Sequence, residues 1–312
     1  MSSRVPLQFI DGAEIARRLT FEVLIDALEA AHRRQPIDVA DTIMGDESSM
    51  YFVRNAVDHG RYVGSKLITS TPGNLGTELP AVQAVMVLFE AATGSPLAVL
   101  DGTVLTQWRT AADSALGSRV LSRPDAGRLL IVGAGAMSRP LVHAHRVARP
   151  SLTEVEVWNR TAERAAEVVA DLAADGVRAT VASDLEAAVR RADIVSCCTR
   201  STSPLIAGDW LQPGCHLDLV GGFTPAHREA DDRAMQRGRV FVDRRESAFD
   251  GVGDILSPIA SGAITADDVL GDLHDLVAGR VGRAHAADIT IFKNAGGGHL
   301  DLMTAEAILA AG

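Results

Sequence analysis

Apolar residues follow two different spacings in the first third of the chain. Spacings of three to four residues predict amphipathic helices, and alternation of apolar and polar positions predicts strands. The predicted helices are 11–19, 21–34 and 105–121, and the predicted strands are 48–55, 61–70 and a pair within 83–102 around a turn at Thr93-Gly94. A hairpin turn is expected at 57–60, and Thr106 is the expected N-cap of the third helix. Helices mixed with antiparallel strands indicate an α+β domain.

Short apolar strands alternate with helices in the rest of the chain. The strand segments are 128–135, 154–160, 177–182, 193–199, 216–222 and 239–243, and the helical segments are 138–149, 161–176 and 185–192. This alternation predicts an α/β chain with a doubly wound parallel sheet, the Rossmann arrangement. A last helix at 303–311 is expected to pack on the first domain. The predicted domains are therefore 1–120 with 293–312, and 121–292.

Composition and charge restrict the partners. The 312 residues are 47% hydrophobic and 22% charged, with a net charge of −10. An acidic chain repels nucleic-acid phosphates and anionic lipid, so neither partner is expected. No segment has the ~20 consecutive apolar residues that span a bilayer. Cys197 and Cys198 are adjacent within an apolar run, so we expect a reduced, cytoplasmic protein. No CxxC spacing occurs, so no metal site is expected.

A glycine-rich turn joins the first strand of the second domain to its helix. Gly133 allows a tight turn, and Gly135 lets the backbone approach a pyrophosphate, which the helix N-terminus attracts. Ser138 stands where the motif has a third glycine or alanine, and it is still small. Ala136 and Met137 complete the loop. The strand–turn–helix context predicts a dinucleotide site.

The end of the next strand indicates which dinucleotide is bound. NAD-specific sites have Asp or Glu there, bonded to the ribose hydroxyls. This chain has Asn159-Arg160-Thr161 instead, with Arg164 one turn later. A guanidinium binds a 2′-phosphate well, with the other side chains as further donors. We therefore expect NADPH in preference to NADH.

Several segments in fixed order resemble the ornithine cyclodeaminase/mu-crystallin family. They are Gly64-Ser65-Lys66, Pro72-Gly73-Asn74, residues 105–112, 133–135 and 159–161, Val220-Gly221-Gly222, Phe292-Lys293 and Asp301. The resemblance covers nearly the whole chain, and the Arg-Thr-Ala-Ala segment beginning at Arg109 is its most specific part. It implies a homodimer whose α+β domain pairs the subunits and binds substrate, while the Rossmann domain holds the cofactor.

The resemblance also implies roles for single residues. Lys66 and Arg109 match the catalytic cations that hold an amino-acid carboxylate, a task that suits a bidentate guanidinium. Thr110 would face the cofactor phosphates. The expected cofactor site also includes three further residues: Thr199, Val220 and Lys293, of which Val220 and Lys293 lie in the matching segments.

Two departures from the family pattern bear on the substrate. Many members have a carboxylate-binding arginine upstream of the lysine, but residues 35–46 contain none, and Arg54 is the candidate to replace it. Ornithine cyclodeaminases have a catalytic aspartate after the Gly-Gly pair, where this chain has Phe223. The segment 221–232 looks like that of bacterial Δ1-pyrroline-2-carboxylate reductases. Cyclisation of ornithine needs a base, and phenylalanine supplies none.

The expected activity is NADPH-dependent reduction of a small cyclic imino acid. Δ1-Pyrroline-2-carboxylate would give L-proline, and Δ1-piperideine-2-carboxylate would give L-pipecolate. Lys66 or a water molecule would supply the proton. Three alternatives remain open: an ornithine cyclodeaminase, an amino-acid dehydrogenase of the same family, and a non-catalytic NADPH-dependent binding protein like mu-crystallin.

Overall fold

A computed structural model describes residues 6–46, 48–74, 77–222 and 224–312 of the chain. It divides into two compact units: a first unit of residues 1–109 and 297–312, and a second unit of residues 110–296. The division falls earlier in the third helix than the predicted boundary at residue 120. Residues beyond 110 pack within the second unit, where a Cβ added to Gly117 would lie 2.6 Å from the ring of Phe292.

The first unit is a six-stranded sheet with helices. Its elements are β1 (Gln8–Ile10), α1 (Gly12–Arg18), α2 (Phe21–His32), β2 (Asp38–Asp46), β3 (Ser49–Asp58), β4 (Tyr62–Ser70), β5 (Val82–Glu90), β6 (Pro96–Asp101), the start of α3 (Gly102–Leu121), and α11 (Gly298–Ala310). The strand order is β1-β6-β5-β4-β3-β2, parallel only between β1 and β6. The predicted hairpin is confirmed, but its turn lies at residues 59–61 rather than 57–60, because Asp58 still pairs with Tyr62.

Helix α11 packs against the sheet of the first unit. A Cβ added to Gly64 on β4 would lie 2.8 Å from a methyl carbon of Leu302, and one added to Gly298 would lie 3.0 Å from the carbonyl oxygen of Asn55 on β3. Small residues at these positions therefore allow the close approach of the helix to the strands. The C-terminal helix returns to the first unit, as predicted, but it begins at Gly298 rather than at residue 303.

The start of α3 differs from the prediction. Thr106 is not its N-cap, because the helix already begins at Gly102. Asp101 does the capping: its Oδ1 accepts hydrogen bonds from the backbone N–H groups of Thr103, at 2.9 Å, and Val104, at 3.0 Å. The Thr106 hydroxyl instead donates to the carbonyl of Gly102 within the first turn.

The second unit is built on an eight-stranded, fully parallel sheet. Besides the end of α3, its elements are β7 (Arg128–Val132), α4 (Ser138–Ala148), β8 (Glu154–Trp158), α5 (Ala162–Ala174), β9 (Thr180–Val181), α6 (Leu185–Arg191), β10 (Ile194–Cys197), β11 (His216–Leu219), α7 (Asp232–Arg237), β12 (Gly238–Val242), α8 (Arg245–Ala248), α9 (Gly253–Ala260), β13 (Val269–Gly271), α10 (Leu273–Val277) and β14 (Ile289–Lys293). The order is β13-β12-β14-β11-β10-β7-β8-β9.

The strand order contains the Rossmann switch point. Strand β7 pairs with β8 on one side and with β10 on the other, so the direction of winding reverses there. Dinucleotides bind outside the carboxyl ends of the strands at such a point. The central strands β10, β11 and β14 are buried at every residue, and β7 is buried after Arg128, so helices and loops cover both faces of the sheet there. Within the described part of the chain, no helix combines the length and the apolarity that crossing a membrane requires.

The Asp101 cap yields a stability prediction. Asp101→Ala removes the acceptor for two backbone N–H groups, so we expect the free energy of unfolding to fall by about 1 kcal/mol. Asp101→Asn retains a side-chain oxygen and should recover most of that loss. Urea denaturation measures both variants. Equal stabilities of the Ala and Asn variants would show that Asp101 does not stabilise α3 by capping.

Candidate functional site

A lysine lies at the centre of the sheet in the first unit. Lys66 is on β4, where Gly64 and Lys66 alternate toward the buried face, and its side chain is only 1% exposed. Its neighbours across the sheet are Arg54 on β3 and Met86 on β5. Directly paired residues share a face of the sheet, so Arg54 is Lys66's nearest cationic neighbour along the strands.

Two helices supply polar partners for Lys66. Its Nζ donates to Oδ1 of Asp301 on α11, at 2.5 Å, and to Oγ1 of Thr106 on α3, at 3.1 Å. Arg109, one turn after Thr106, has its Nε 3.4 Å from the same Asp301 oxygen. Lys66, Thr106, Arg109 and Asp301 are called the Lys66 cluster below.

Burial controls the electrostatics of the Lys66 cluster. Burial lowers the pKa of Lys66 from 10.5 to about 8, and the positive charges of Arg109 and Arg54 lower it too. Asp301 opposes these effects, because its carboxylate stabilises the ammonium. At neutral pH Lys66 therefore remains mainly protonated yet gives up its proton more easily than an exposed lysine. Two cations share one carboxylate, which favours an anionic ligand.

Two atoms of the Lys66 cluster are buried without a hydrogen-bond partner. They are Oδ2 of Asp301 and Nε of Arg109. A buried polar atom without a partner costs about 1–3 kcal/mol, so such atoms are rare unless a ligand binds them. An acceptor beside a donor is what a ligand with an N–H group and a carboxylate needs.

Arg54 is also held on this sheet. Its Nε lies 3.4 Å from Oδ2 of Asp41 on β2, and its guanidinium lies 4.8 Å from the ring centroid of Phe52. Its side chain is 18% exposed. The structure thus brings the three predicted substrate residues, Arg54, Lys66 and Arg109, into one region of the first unit.

Thr106 and Asp301 were not predicted as site residues. Asp301 has a signal in the sequence, because it stands between Leu300 and Leu302 in a helix rich in apolar residues. In the structure Asp301 is 1% exposed. A fully buried charged residue requires a partner. Its partner lies more than two hundred residues away in the chain, at Lys66, and no local pattern identifies that pairing.

The glycine-rich loop of the second unit has the geometry of a phosphate site. Gly133 has φ +121°, which favours glycine, and its N–H donates to the carbonyl of Trp158 at 2.8 Å. Ser138 closes the turn by donating to the carbonyl of Gly133 at 2.9 Å. A Cβ added to Gly135 would meet no atom within 4 Å, so the loop is open there. No side chain caps α4 at Met137. The Ser138 N–H donates to the carbonyl of Gly135 at 3.1 Å and Pro140 has no N–H, so in the first turn the Arg139 N–H is the group left without a capping side chain.

The residues after β8 lie at the surface. Arg160, Thr161 and Arg164 are exposed, as is Ala136 in the glycine-rich loop. Asn159 donates from Nδ2 to the carbonyl of Thr161 at 2.9 Å. Thr161 is the N-cap residue of α5, as predicted, but its hydroxyl makes no capping bond. These side chains are accessible to an anionic group.

The remaining predicted cofactor residues make internal contacts. The Thr110 carbonyl accepts a hydrogen bond from Asn294, and the Val220 N–H donates to the carbonyl of Cys197. Both the N–H and the hydroxyl of Thr199 donate to Glu229.

Lys293 is fully buried, and its ammonium donates to Asp254 at 3.1 Å rather than pointing to the surface. Its role in binding the cofactor stays a prediction. Phe223 lies outside the described residues. Among the residues that are described, no group of three His, Cys, Asp or Glu side chains could hold a metal ion.

Comparisons with known proteins agree with this arrangement. The model of the ornithine cyclodeaminase/mu-crystallin family matches residues 14–310. A Δ1-pyrroline-2-carboxylate reductase of Paracoccus denitrificans is 42% identical over 304 residues, covering 96% of each chain. The structure of the Thermococcus litoralis Δ1-pyrroline-2-carboxylate reductase with NADH and L-proline is similar with a TM-score of 0.91, at 25% identity and 97% coverage of each chain.

An archaeal alanine dehydrogenase dimer with bound NAD is also similar, with a TM-score of 0.90, 26% identity and coverage of 98% of this chain and 95% of the other. The predicted α/β fold class is confirmed, and so is the prediction of an oxidoreductase acting on carbon–nitrogen bonds. The chain belongs to the ornithine cyclodeaminase/mu-crystallin family.

Proposed function

We propose that this protein reduces a small cyclic imino acid, Δ1-pyrroline-2-carboxylate or Δ1-piperideine-2-carboxylate, to L-proline or L-pipecolate with NADPH. The observation that carries the proposal is the Lys66 cluster. It combines a carboxylate-binding guanidinium, a lysine of lowered pKa and an unpartnered Asp301 oxygen, all buried. The Paracoccus relative named for this activity covers nearly the whole chain.

The substrate's two polar groups fit the Lys66 cluster. Arg109, with Arg54 beside Lys66 on the sheet, binds the carboxylate. Lys66 donates a proton to the imine nitrogen, a step that its pKa of about 8 favours. Oδ2 of Asp301 accepts the resulting N–H, while Oδ1 holds the Lys66 ammonium. Lys66 then regains a proton from solvent.

The residues of the second unit fit a nicotinamide dinucleotide. The open backbone at Gly135 and the uncapped start of α4 suit a pyrophosphate. Arg160, with Asn159, Thr161 and Arg164, suits the 2′-phosphate of NADPH. When bound, the reduced nicotinamide supplies the hydride. The Thermococcus and archaeal neighbours hold NADH and NAD, so the preference for NADPH rests on this chain's own arginines.

A homodimer is part of the proposal. One face of the six-stranded sheet exposes large apolar side chains, including Phe9 at 78% and Val85 at 42%. These two residues line a concave surface together with Tyr51, Leu67 and Val99. Exposed apolar surfaces of this kind mark protein interfaces. The archaeal alanine dehydrogenase neighbour is a dimer, which favours a second copy of this chain as the partner.

An amino-acid dehydrogenase is the second candidate, favoured by the similarity to alanine dehydrogenase. The same cation cluster would bind the carboxylate of an α-keto acid, and ammonia would be the nitrogen donor. An ornithine cyclodeaminase is less favoured, because the sequence has Phe223 where those enzymes have an aspartate. A non-catalytic binding protein is also less favoured, because binding alone does not require a lysine whose pKa is lowered to about 8.

Cofactor preference is tested by Arg160→Ala. Charge-assisted hydrogen bonds to a phosphate contribute about 1.5–3 kcal/mol each, so affinity for NADPH should fall about ten- to a hundredfold while affinity for NADH changes little. Fluorescence titration measures both dissociation constants. Arg178→Ala, at another exposed arginine of the same unit, is the control. Equal losses for the two nucleotides would contradict the 2′-phosphate assignment.

The role of Lys66 is tested by Asp301→Asn. Lys66 acts when protonated, so kcat/KM should fall as pH rises through its pKa of about 8. Asp301 raises that pKa, and its loss should therefore move the alkaline limb to lower pH besides reducing the rate. Glu306→Gln, which removes an ion-pairing carboxylate elsewhere on α11, should leave the limb in place. If the alkaline decrease of kcat/KM occurs at the same pH in Asp301→Asn, Lys66 is not the proton donor.

The reaction itself is tested with a substrate panel. We expect NADPH consumption with five- or six-membered cyclic imino acids, equal to the proline or pipecolate formed, and little ammonia from L-ornithine. Phe223→Asp should slow the reduction without creating a cyclodeaminase, since residues 35–46 also lack the carboxylate-binding arginine of many family members. Ammonia release without net NADPH consumption would favour the cyclodeaminase, and oxidation of L-alanine would favour the dehydrogenase.

A further inference from the structure

One fully buried carboxylate holds two loops of the second unit. Glu229 accepts three hydrogen bonds: its Oε1 from the N–H of Thr199 at 2.6 Å and from the Thr199 hydroxyl at 2.8 Å, and its Oε2 from the N–H of Gly221 at 2.7 Å. Thr199 follows β10 and Gly221 follows β11, and these strands are parallel neighbours. Glu229 therefore joins two loops at the carboxyl edge of the sheet, where dinucleotides bind.

Two further buried charges hold Glu229 in place. Asp254 on α9 accepts from the Glu229 N–H through Oδ1, at 2.8 Å, and from Nζ of Lys293 through Oδ2, at 3.1 Å. The three residues are at most 2% exposed and are called the Glu229 cluster. Other titratable or charged groups facing the cluster are Cys197 at the end of β10, Cys198 directly after it, Arg200 in the first loop and His227 in the second.

The Gly221-Gly222 pair lies directly on the Glu229 cluster. A Cβ added to Gly221 would lie 2.6 Å from Oε1 of Glu229 and 1.8 Å from the Thr199 carbonyl oxygen, and one added to Gly222 would lie 2.0 Å from Oδ2 of Asp254. No side chain fits at either position. The two glycines thus bring the backbone of the second loop against the carboxylates, which explains why the segment after β11 has this composition.

We infer that Glu229 is a positioning residue for the nicotinamide site, because its carboxylate fixes the backbone of both loops. The inference rests on the proposed function for the presence of a nicotinamide nucleotide. Glu229 acts through Thr199 and Gly221, since it is fully buried beneath them. Thr199 and Val220, which lies beside Gly221, are also among the residues expected to bind the cofactor.

The hydrogen bonds that Glu229 accepts from Thr199 and Gly221 depend on pH. Burial and the negative charge of Asp254 together raise the pKa of Glu229 from 4.5 to about 7, although the charge of Lys293 and the hydrogen bonds from Thr199 lower it. The ionised carboxylate accepts all three hydrogen bonds, whereas the protonated acid turns an O–H toward a donor. The three hydrogen bonds that Glu229 accepts are therefore made when its carboxylate is ionised, and they weaken as the pH falls through about 7. Nucleotide affinity should weaken in the same direction.

The test compares the protein with Glu229→Gln, measuring NADH affinity on either side of pH 7. NADH is the probe because the 2′-phosphate of NADPH titrates at about pH 6 itself. We expect the unmodified protein to bind NADH more weakly as the pH falls. Glutamine keeps the size but opposes one N–H donor with its own N–H₂, so binding should be about tenfold weaker or more above pH 7 and nearly independent of pH.

Hydrogen exchange without nucleotide gives a second measurement. The N–H groups of Thr199 and Gly221 should lose protection in Glu229→Gln, and in the unmodified protein as the pH falls, after correction for the intrinsic rate. Asp218→Asn is the control: it removes another fully buried carboxylate, on β11, that accepts from Ser114 and Ser196. It should lower the melting temperature but leave the pH dependence of NADH binding.

The outcomes separate this inference from the proposed function. A pH dependence that is the same in Glu229→Gln as in the unmodified protein, or amide protection that does not change, overturns the positioning role. The unmodified protein supplies both pH series by itself, so the test stands even if the variant does not fold. NADH binding with the expected pH dependence but no turnover of any cyclic imino acid would support Glu229 as a positioning residue and reject the reductase. If no nicotinamide nucleotide binds, both are rejected.

Discussion

A buried lysine on β4 determines how the chain closes. An ammonium that is 1% exposed loses nearly all its hydration, and only a partner of opposite charge offsets that cost. None of the strand residues paired with Lys66 is acidic, so the partner must come from another element. Helix α11 supplies it as Asp301. Removing one partner of such a pair typically costs about 3–5 kcal/mol, which is large beside the whole stability of a domain. The return of the C-terminal helix to the first unit is therefore an electrostatic requirement as well as a packing one.

Each unit buries one lysine–aspartate ion pair, Lys66–Asp301 in the first and Lys293–Asp254 in the second. The two pairs differ in how many oxygens of the aspartate are hydrogen-bonded. In the second unit both oxygens of Asp254 are occupied, one by the Glu229 N–H and one by Lys293. In the first unit only Oδ1 of Asp301 is occupied, and Oδ2 has no hydrogen-bond partner. A fully satisfied ion pair fixes the backbone around it, whereas a half-satisfied one retains the capacity to bind a ligand. The same pair of residue types is thus suited to positioning the backbone in one unit and to binding a ligand in the other.

Local patterns were sufficient for most elements and insufficient for the contacts between them. The alternation around the glycine-rich loop predicted the parallel sheet, because each strand and helix there has its own apolar signal. Strand β2 was missed, since eight of its nine residues are exposed and no alternation remains to identify it. The predicted start of α3 was too late, because the carboxylate of Asp101, five residues before Thr106, accepts hydrogen bonds from the first N–H groups of the helix. Glu229 and Asp301 were not recognised as structural centres, because each acts through partners that are distant in sequence.

The missing upstream arginine is best understood from the strand register. The segment without an arginine is β2, and its Asp41 pairs with Arg54 on β3, which in turn pairs with Lys66 on β4. A row of one anion and two cations therefore crosses three neighbouring strands, and the residue paired directly with Lys66 is the cation on β3. The contact between Arg54 and Asp41 is 3.4 Å long and Asp41 is 37% exposed, so water screens it strongly. A substrate carboxylate bound among Arg54, Lys66 and Arg109 would meet less dielectric screening than Asp41 does, because Lys66 and Arg109 are buried. Arg54 can therefore take the place of the missing upstream arginine because it lies on the strand next to Lys66.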